Sequence, residues 1–573
     1  MSEVIVFWLL LFVINSFYFI PRFILDFSRT EWVPVSGLLQ GSWYRRARHL
    51  LIRLNYDVFR VCIDFFVLSC AYAFWLRAWI APVPFGLALT VYFGISFLYQ
   101  LYHTTFDKLY HLEPVLYNDA LMLKNGLQIF VHEFDLRNFI ITLTALAAAV
   151  LSTALILLMT SVGASAPFGS GSWIGAGIIG AASLFSILHY PYKKYPQLTF
   201  QSPLQALVRN LLMTRQVKHD IANLTVKRMV RYNIDPAVSL RIKPNVHLLV
   251  IESYGRIVMD HPALAGHYET RVIALERQLA EGGWHVCSQL SESPVTGGAS
   301  WISYTSVMYG LNVKNQGIFR TMMKNPHIAA YDSLFHWLKR QGYTTYRLSS
   351  LGGYEKMEIP YSEYSRLYGI DHWILHNDLD YCGPLYGFGP SPPDQYALNF
   401  AIDRIRSEKG MPYALFFISQ NSHTPYHTPE EVAEDWRTLN DAGASATNRS
   451  LFWSKPRFED YGKAIAYQLD YCIDCILRQG TEQDLFVLVG DHQPASLSVP
   501  IDTFQTPVHL ISKDPALIKA MQGYGFQQGL RARDDQVTRH EALYWALMRS
   551  LLATCAQPAD RLPEFLEQGI PYA

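Results

Sequence analysis

The chain has 573 residues, half of them hydrophobic, and its 48 Lys and Arg balance its 48 Asp and Glu. A formal charge of zero offers no global attraction for nucleic acid, and a mean hydropathy of +0.07 is high for a purely soluble enzyme. The seven cysteines set no disulfide framework: Cys62 and Cys70 fall in an apolar run, Cys287, Cys382 and Cys555 are far apart, and Cys472-x-x-Cys475 sits in a helical pattern that favours packed thiols.

The apolar excess lies near the N-terminus in five runs, Val4–Ile20, Val58–Ile80, Val83–Leu101, Phe139–Met159 and Trp173–Leu188. Each is near the ~17–25 residues that cross a bilayer. The first run lacks the basic start and small-residue cleavage site of a removed leader, so residues 1–190 read as five retained spans. Residues 191–244 change character. Arg209, Arg215, Lys218, Lys227, Arg228 and Arg231 alternate with Leu, Val and Ile at helical spacing. That pattern fits an amphipathic helix on lipid headgroups and equally a solvated helix packed on the next domain. Residues 245–573 alternate strand-like and helical segments, the signature of a doubly wound α/β domain.

Three fragments of that domain carry chemistry: NVHLLVIES (Asn245–Ser253), TGGASWISYTSVMYG (Thr296–Gly310) and DLFVLVGDHQP (Asp484–Pro494). The first and third read as buried parallel strands ending in Glu252 and in Asp491-His492. The middle one delivers the Ser300 hydroxyl from a Gly-Gly turn to the first turn of a helix, where a serine also serves as a cap. In open α/β sheets, chemistry gathers outside the carboxyl ends of the strands. Glu, Asp and His meeting there around a serine form a divalent-metal site for attack on a phosphate or sulfate ester. Thr296, four residues before Ser300, is the competing nucleophile. A fourth fragment, YALFFISQNSHTPYHTP, is a strand running into His423. His427 reads as a surface group and His509, in TPVHLIS, as structural.

With these motifs the chain resembles the alkaline-phosphatase/sulfatase superfamily, and within it the five-span membrane-bound lipoteichoic acid synthases, phosphoethanolamine transferases and phosphoglycerol transferases. The resemblance covers the layout of the whole chain but only four short motifs in residues. It implies a five-helix transmembrane domain (1–190), an interfacial linker (191–244) and a sulfatase-like catalytic domain (245–573). It further implies that Glu252, Ser300, Asp491 and His492 are metal ligands. Ser300 would be the nucleophile, and His423 would bind the phosphoryl group or assist the leaving group. The donor would be a phospholipid and the acceptor a glycan or lipid, in a bacterial inner membrane with the catalytic domain outside the cytoplasm. The mixed N/O ligand set suits Zn²⁺ first and Mn²⁺ second.

The departures are informative. No Cys-x-Pro-x-Arg is present, which argues against a formylglycine sulfatase, and Glu-Ser after the first strand favours one metal over two. The Trp-x-Arg pair of lipoteichoic acid synthases is missing from SSLGGYEKMEIPYSEYSRLYGIDHW, and no histidine follows Asp491-His492 until His509. The transferred group is therefore open, as are a hydrolytic alternative, a non-catalytic binding role and the oligomeric state. Charge placement also conflicts with the layout. Arg22, Arg29, Arg45, Arg46, Arg48, Arg53, Lys108, Lys124 and Arg137 all fall in loops the resemblance puts outside, whereas positive loops ordinarily stay inside.

Overall fold

The computed structural model describes residues 2–25, 42–43, 46, 60–110, 114–120, 136–189, 200–352, 361–387, 391–408, 412–442, 457–495, 497–498, 503–533, 536–557 and 561–571. Arg29, Arg45, Arg48, Arg53 and Lys124 of the charge argument lie outside them. The chain divides into two compact units, Met1–Lys108 with Glu113–Gln216, and Leu109–Leu112 with Val217–Ala573.

In the first unit a helix stands on each of the five apolar runs: α1 (Ser2–Tyr18), α2 (Ile63–Phe74), α3 (Pro82–Tyr110), α4 (Leu136–Ser165) and α5 (Ser170–His189). Among the described residues, two are long and apolar enough to cross a membrane by length and composition, over Pro82–Phe106 and Leu143–Ser165. The five full spans expected from the sequence are thus not all of spanning length. The clearest difference is α2, whose 12 residues rise only about 18 Å. Its first turn carries Asp64, which accepts hydrogen bonds from Tyr92 Oη (2.8 Å), Ser202 Oγ (2.7 Å) and the Leu204 N–H (2.8 Å). A carboxylate with three donors ties that end to polar partners, which hydropathy alone does not reveal. Helix α6 (Pro203–Asn223) starts at these same groups, with Ser202 Oγ accepting the Gln205 N–H. It exposes Leu204, Val208, Leu211 and Leu212 in one stripe, the spacing of a single helical face.

The second unit is built on a nine-stranded sheet. In chain order its strands are β1 (Asn245–Ile251), β2 (His285–Glu292), β3 (Thr344–Ser349), β4 (His372–Leu375), β5 (Tyr413–Ile418), β6 (Asp484–Gly490), β7 (Gln505–Ser512), β8 (Gln527–Gln528) and β9 (Val537–Arg539). The order is β8-β2-β7-β6-β1-β5-β3-β4, with β9 on β2. From β6 to β4 the pairing is parallel. On the other side β7 runs antiparallel to β6 and β2, so the sheet is mixed rather than wholly parallel as the doubly wound pattern suggests. Alternate residues of each central strand enter two cores. Val246, Leu248 and Val250 pack with α7 (Ser300–Tyr309) and α8 (His540–Cys555). Leu249 and Ile251 pack with the layer containing Ala265–Glu281, Asp394–Glu408 and Phe458–Gln479. Burial on both faces is what continuous apolar strands require.

Candidate active site

β1 and β6 stay in register to the pair Ile251–Gly490, so Glu252 and Asp491 leave the sheet side by side. Gly490 allows this approach, because a Cβ there would lie 2.0 Å from the Tyr254 carbonyl oxygen. Ser253 turns the chain in the left-handed region, at φ 59°, a conformation that a non-glycine residue adopts only when its surroundings hold it. Asp491 Oδ1 provides part of that hold, accepting the N–H of Ser253 (2.8 Å) and of His492 (2.8 Å).

Ser300 arrives from the neighbouring loop, where Gly298 and Ala299 both have positive φ. Ala299 occupies the cap position and Ser300 is the first helical residue, so the serine is not the cap. Its Oγ donates to Glu252 Oε2 at 3.1 Å and lies 3.2 Å from His492 Nε2. That nitrogen is 3.5 Å from Glu252 Oε1 and 3.3 Å from Asp491 Oδ2. His492 Nδ1 faces the Gln493 carbonyl at 2.7 Å. A carbonyl only accepts, so Nδ1 holds a proton, and Nε2 is the nitrogen turned into the cluster.

The four groups predicted from the sequence are therefore together. Glu252, Asp491 and His492 each offer an atom within 4.8 Å of the others, the single such group among the described residues. Asp491 Oδ2 is buried and accepts no hydrogen bond. Buried carboxylate oxygens are rarely left this way, and the chemistry of the donor set fits a divalent cation. Electrostatics point the same way. Burial, then the charge of Glu252, push the Asp491 carboxyl up to about 7. Burial also opposes ionisation of Glu252, but His492 and His423 outweigh it and hold its pKa below the ordinary value. Burial disfavours a protonated His492, yet Asp491 and Glu252 raise its pKa.

The loop after β5 closes around Glu252. Ser419 Oγ accepts the Glu252 N–H (3.0 Å), and Ser422 Oγ donates to the Glu252 carbonyl (2.7 Å). Ser253 Oγ donates to Glu252 Oε1 (2.9 Å). Sequence reasoning missed all three serines; the only signal is their place beside two strand ends. His423 follows on this loop, half-buried, with Nδ1 2.9 Å from the Thr424 carbonyl. Thr296 is buried, and its carbonyl accepts the Gln493 N–H. His427 packs on Tyr386, 4.9 Å between ring centroids. His509 is fully buried within β7, bonded to Tyr254 Oη (3.0 Å) and Ser288 Oγ (2.7 Å). Cys472 and Cys475 are buried free thiols.

Comparison with known proteins gives the family of the second unit. Residues 244–544, more than half of the chain, match the family model described as Sulfatase. The chain belongs to the sulfatase family. No curated protein sequence matches it. Among solved structures it is similar to a lipoteichoic acid synthase from Listeria monocytogenes, at 13% identity over 57% of this chain and 78% of that one, with a TM-score of 0.38. It is also similar to the soluble domain of a lipooligosaccharide phosphoethanolamine transferase from Neisseria meningitidis, at 14% identity over 59% and 97% of the two chains, TM-score 0.38. A phosphonate monoester hydrolase of Agrobacterium radiobacter is similar at 13% identity over 54% and 74%, TM-score 0.33.

Proposed function

We propose that this sulfatase-family chain is a membrane-bound, metal-dependent transferase. It moves a phospholipid-derived head group, phosphoethanolamine or phosphoglycerol, onto a glycan or lipid acceptor. The observation that carries the reading is the Ser300 hydroxyl held between Glu252 Oε2 and His492 Nε2, with the buried Asp491 Oδ2 3.3 Å from that same nitrogen. The apolar helices of the first unit support a lipid donor, since a soluble ester needs no such anchor. Residues 1–190 are then the membrane domain, 191–244 an interfacial linker and 245–573 the catalytic domain. The catalytic domain faces outward from a bacterial inner membrane.

Glu252, Ser300, Asp491 and His492 would hold the cation, Zn²⁺ ahead of Mn²⁺. A bound divalent cation supplies polarisation of the phosphoryl group and activation of the serine hydroxyl. Ser300 Oγ attacks phosphorus, its proton passing to Glu252 Oε2, which already accepts its hydrogen bond. The bond from phosphorus to the diacylglycerol oxygen breaks, and His423 is the candidate to protonate that oxygen. An acceptor hydroxyl then attacks the phospho-serine, giving its proton to His423, and the bond from phosphorus to Ser300 Oγ breaks as that oxygen takes its proton back from Glu252. The test is mass spectrometry of the full chain after incubation with phosphatidylethanolamine or phosphatidylglycerol vesicles. The expected adduct is on Ser300. Label on Thr296, or on neither residue in an active preparation, refutes the mechanism. Release of the head group to water without any glycan product assigns the hydrolytic alternative instead.

A further inference from the structure

The helix Asp394–Glu408 opens on a carboxylate that the catalytic scheme does not use. Asp394 is fully buried. Both of its oxygens accept the Gln420 N–H (3.0 Å each), and Oδ2 also takes the Asn421 N–H (2.8 Å) and Gln468 Nε2 (2.8 Å). In return, Asn421 Oδ1 accepts the Asp394 N–H (2.7 Å). Its named partners are thus neutral donors rather than a cation. An ordinary salt bridge is not what this carboxylate forms. It is an anion wrapped in amide N–H groups at the start of a 15-residue helix, where the aligned peptide dipoles also favour negative charge.

The segment it grips is the one that closes on the site. Gln420 and Asn421 lie between Ser419 and Ser422, whose hydroxyls bond the Glu252 N–H and carbonyl. The two hydroxyls are themselves 3.2 Å apart. The next residue is His423, whose N–H bonds back to the Gln420 carbonyl at 3.2 Å. We propose that Asp394 is a positioning residue of the site, an amide-bound anion that fixes the Ser419–His423 turn and thereby sets both the Glu252 backbone and the place of His423. Burial raises its carboxyl to about 6, with the donors pulling the other way, and the N–H groups of Gln420, Asn421 and Gln468 aimed at its oxygens are the partners that a carboxylate satisfies. An asparagine there would retain one acceptor oxygen and turn an NH₂ toward donors, so shape alone cannot replace it.

The inference rests on the metal-serine reading above, and its test separates the two. The full chain is purified in detergent as wild type, Asp394→Asn, Ser300→Ala and Asp403→Asn, the last an exposed residue of the same helix paired with Arg437. Mn²⁺ and Zn²⁺ affinity is measured by titration calorimetry, and kcat and KM with a small chromogenic phosphodiester. Outer partners of metal ligands change affinity or activity by about 10–100-fold when removed. Asp394→Asn is therefore expected to weaken metal binding about tenfold with stoichiometry kept, and to lower kcat at least tenfold while KM moves less than about threefold. Asp403→Asn should match wild type in both. Wild-type kcat and metal affinity in Asp394→Asn, or a lower melting temperature with kcat per folded molecule unchanged, overturns the positioning role while the site reading stands. If wild type binds no divalent metal and Ser300→Ala keeps its turnover, the site reading fails and the Asp394 role falls with it.

Discussion

Replacing Asp491 with Asn should make the metal-free protein more stable, not less. In the metal-free fold Asp491 is buried against Glu252, and its carboxyl rises from 3.8 to about 7. That rise puts the upper bound on the penalty of the ionised form at about 4 kcal/mol, with about 1.4 kcal/mol for each tenfold in proton affinity. The sign follows from proton binding. A carboxyl with a raised folded pKa binds more protons folded than unfolded, so metal-free stability falls as pH climbs from about 4 to 7. Asparagine keeps the oxygen that accepts the Ser253 and His492 amides and replaces the charged oxygen beside Glu252 with a neutral NH₂. In chelator at pH 8, Asp491→Asn should melt up to about 8 °C above wild type, at roughly 2 °C per kcal/mol; at pH 5 the gain should shrink. Saturating Zn²⁺ should then raise wild type by up to ~4 kcal/mol at a thousandfold excess over Kd and leave the variant where it was. Thermal unfolding of the full chain, followed by intrinsic fluorescence with and without chelator, reads all of this. Equal metal-free melting at pH 8, or a metal-induced rise in the variant as large as in wild type, refutes the charge argument.

Further outcomes follow from other parts of the fold. Ser300→Ala should cut turnover at least ~10³-fold, as loss of an activated nucleophile does, yet retain most of the metal because Glu252, Asp491 and His492 persist; dialysis followed by elemental analysis checks the second half. Gly490→Ala forces a Cβ onto the Tyr254 carbonyl and should destabilise by about 3 kcal/mol or more, beyond ordinary overpacking, in a denaturant midpoint. Burial lowers His509 to about 3, and burial with Lys339 lowers His336 to about 4. Both stay neutral in the fold while the unfolded chain binds their protons, so stability should fall as pH drops from about 6.5 toward 4. His509→Gln should flatten that limb in an acid titration; an unchanged slope contradicts it.

The parts of this protein legible in the sequence are those that local pattern dictates. β1, β5 and β6 are apolar runs without polar alternation, and such runs are buried on both faces. The acidic or histidine residue at each end was therefore visible as well. Ser300 was readable from Gly-Gly followed by a helical pattern. What stayed hidden depends on contacts between distant segments. Asp394 meets Gln420, Asn421 and Gln468 across 26 to 74 residues, and nothing in SPPDQYALNF announces those partners beyond a helix start. Asp64 at the start of α2 meets Ser202, 138 residues away, which no hydropathy window detects. The antiparallel β7 reads locally like its parallel neighbours, because direction is a property of the connection, not of the strand.

The Ser300 hydroxyl lies 48 residues from the carboxylate it touches and 192 from the imidazole beside it. A growing or partly threaded chain therefore possesses a nucleophile long before it possesses the groups that would arm it. Until β6 slots in next to β1, Ser300 is an ordinary alcohol and Glu252 an ordinary surface acid. A polypeptide that stalls, is clipped before Asp491 or pairs its strands out of order lacks the cluster that the proposed reaction needs. Assembly of the sheet is thus also the safety catch on the reaction.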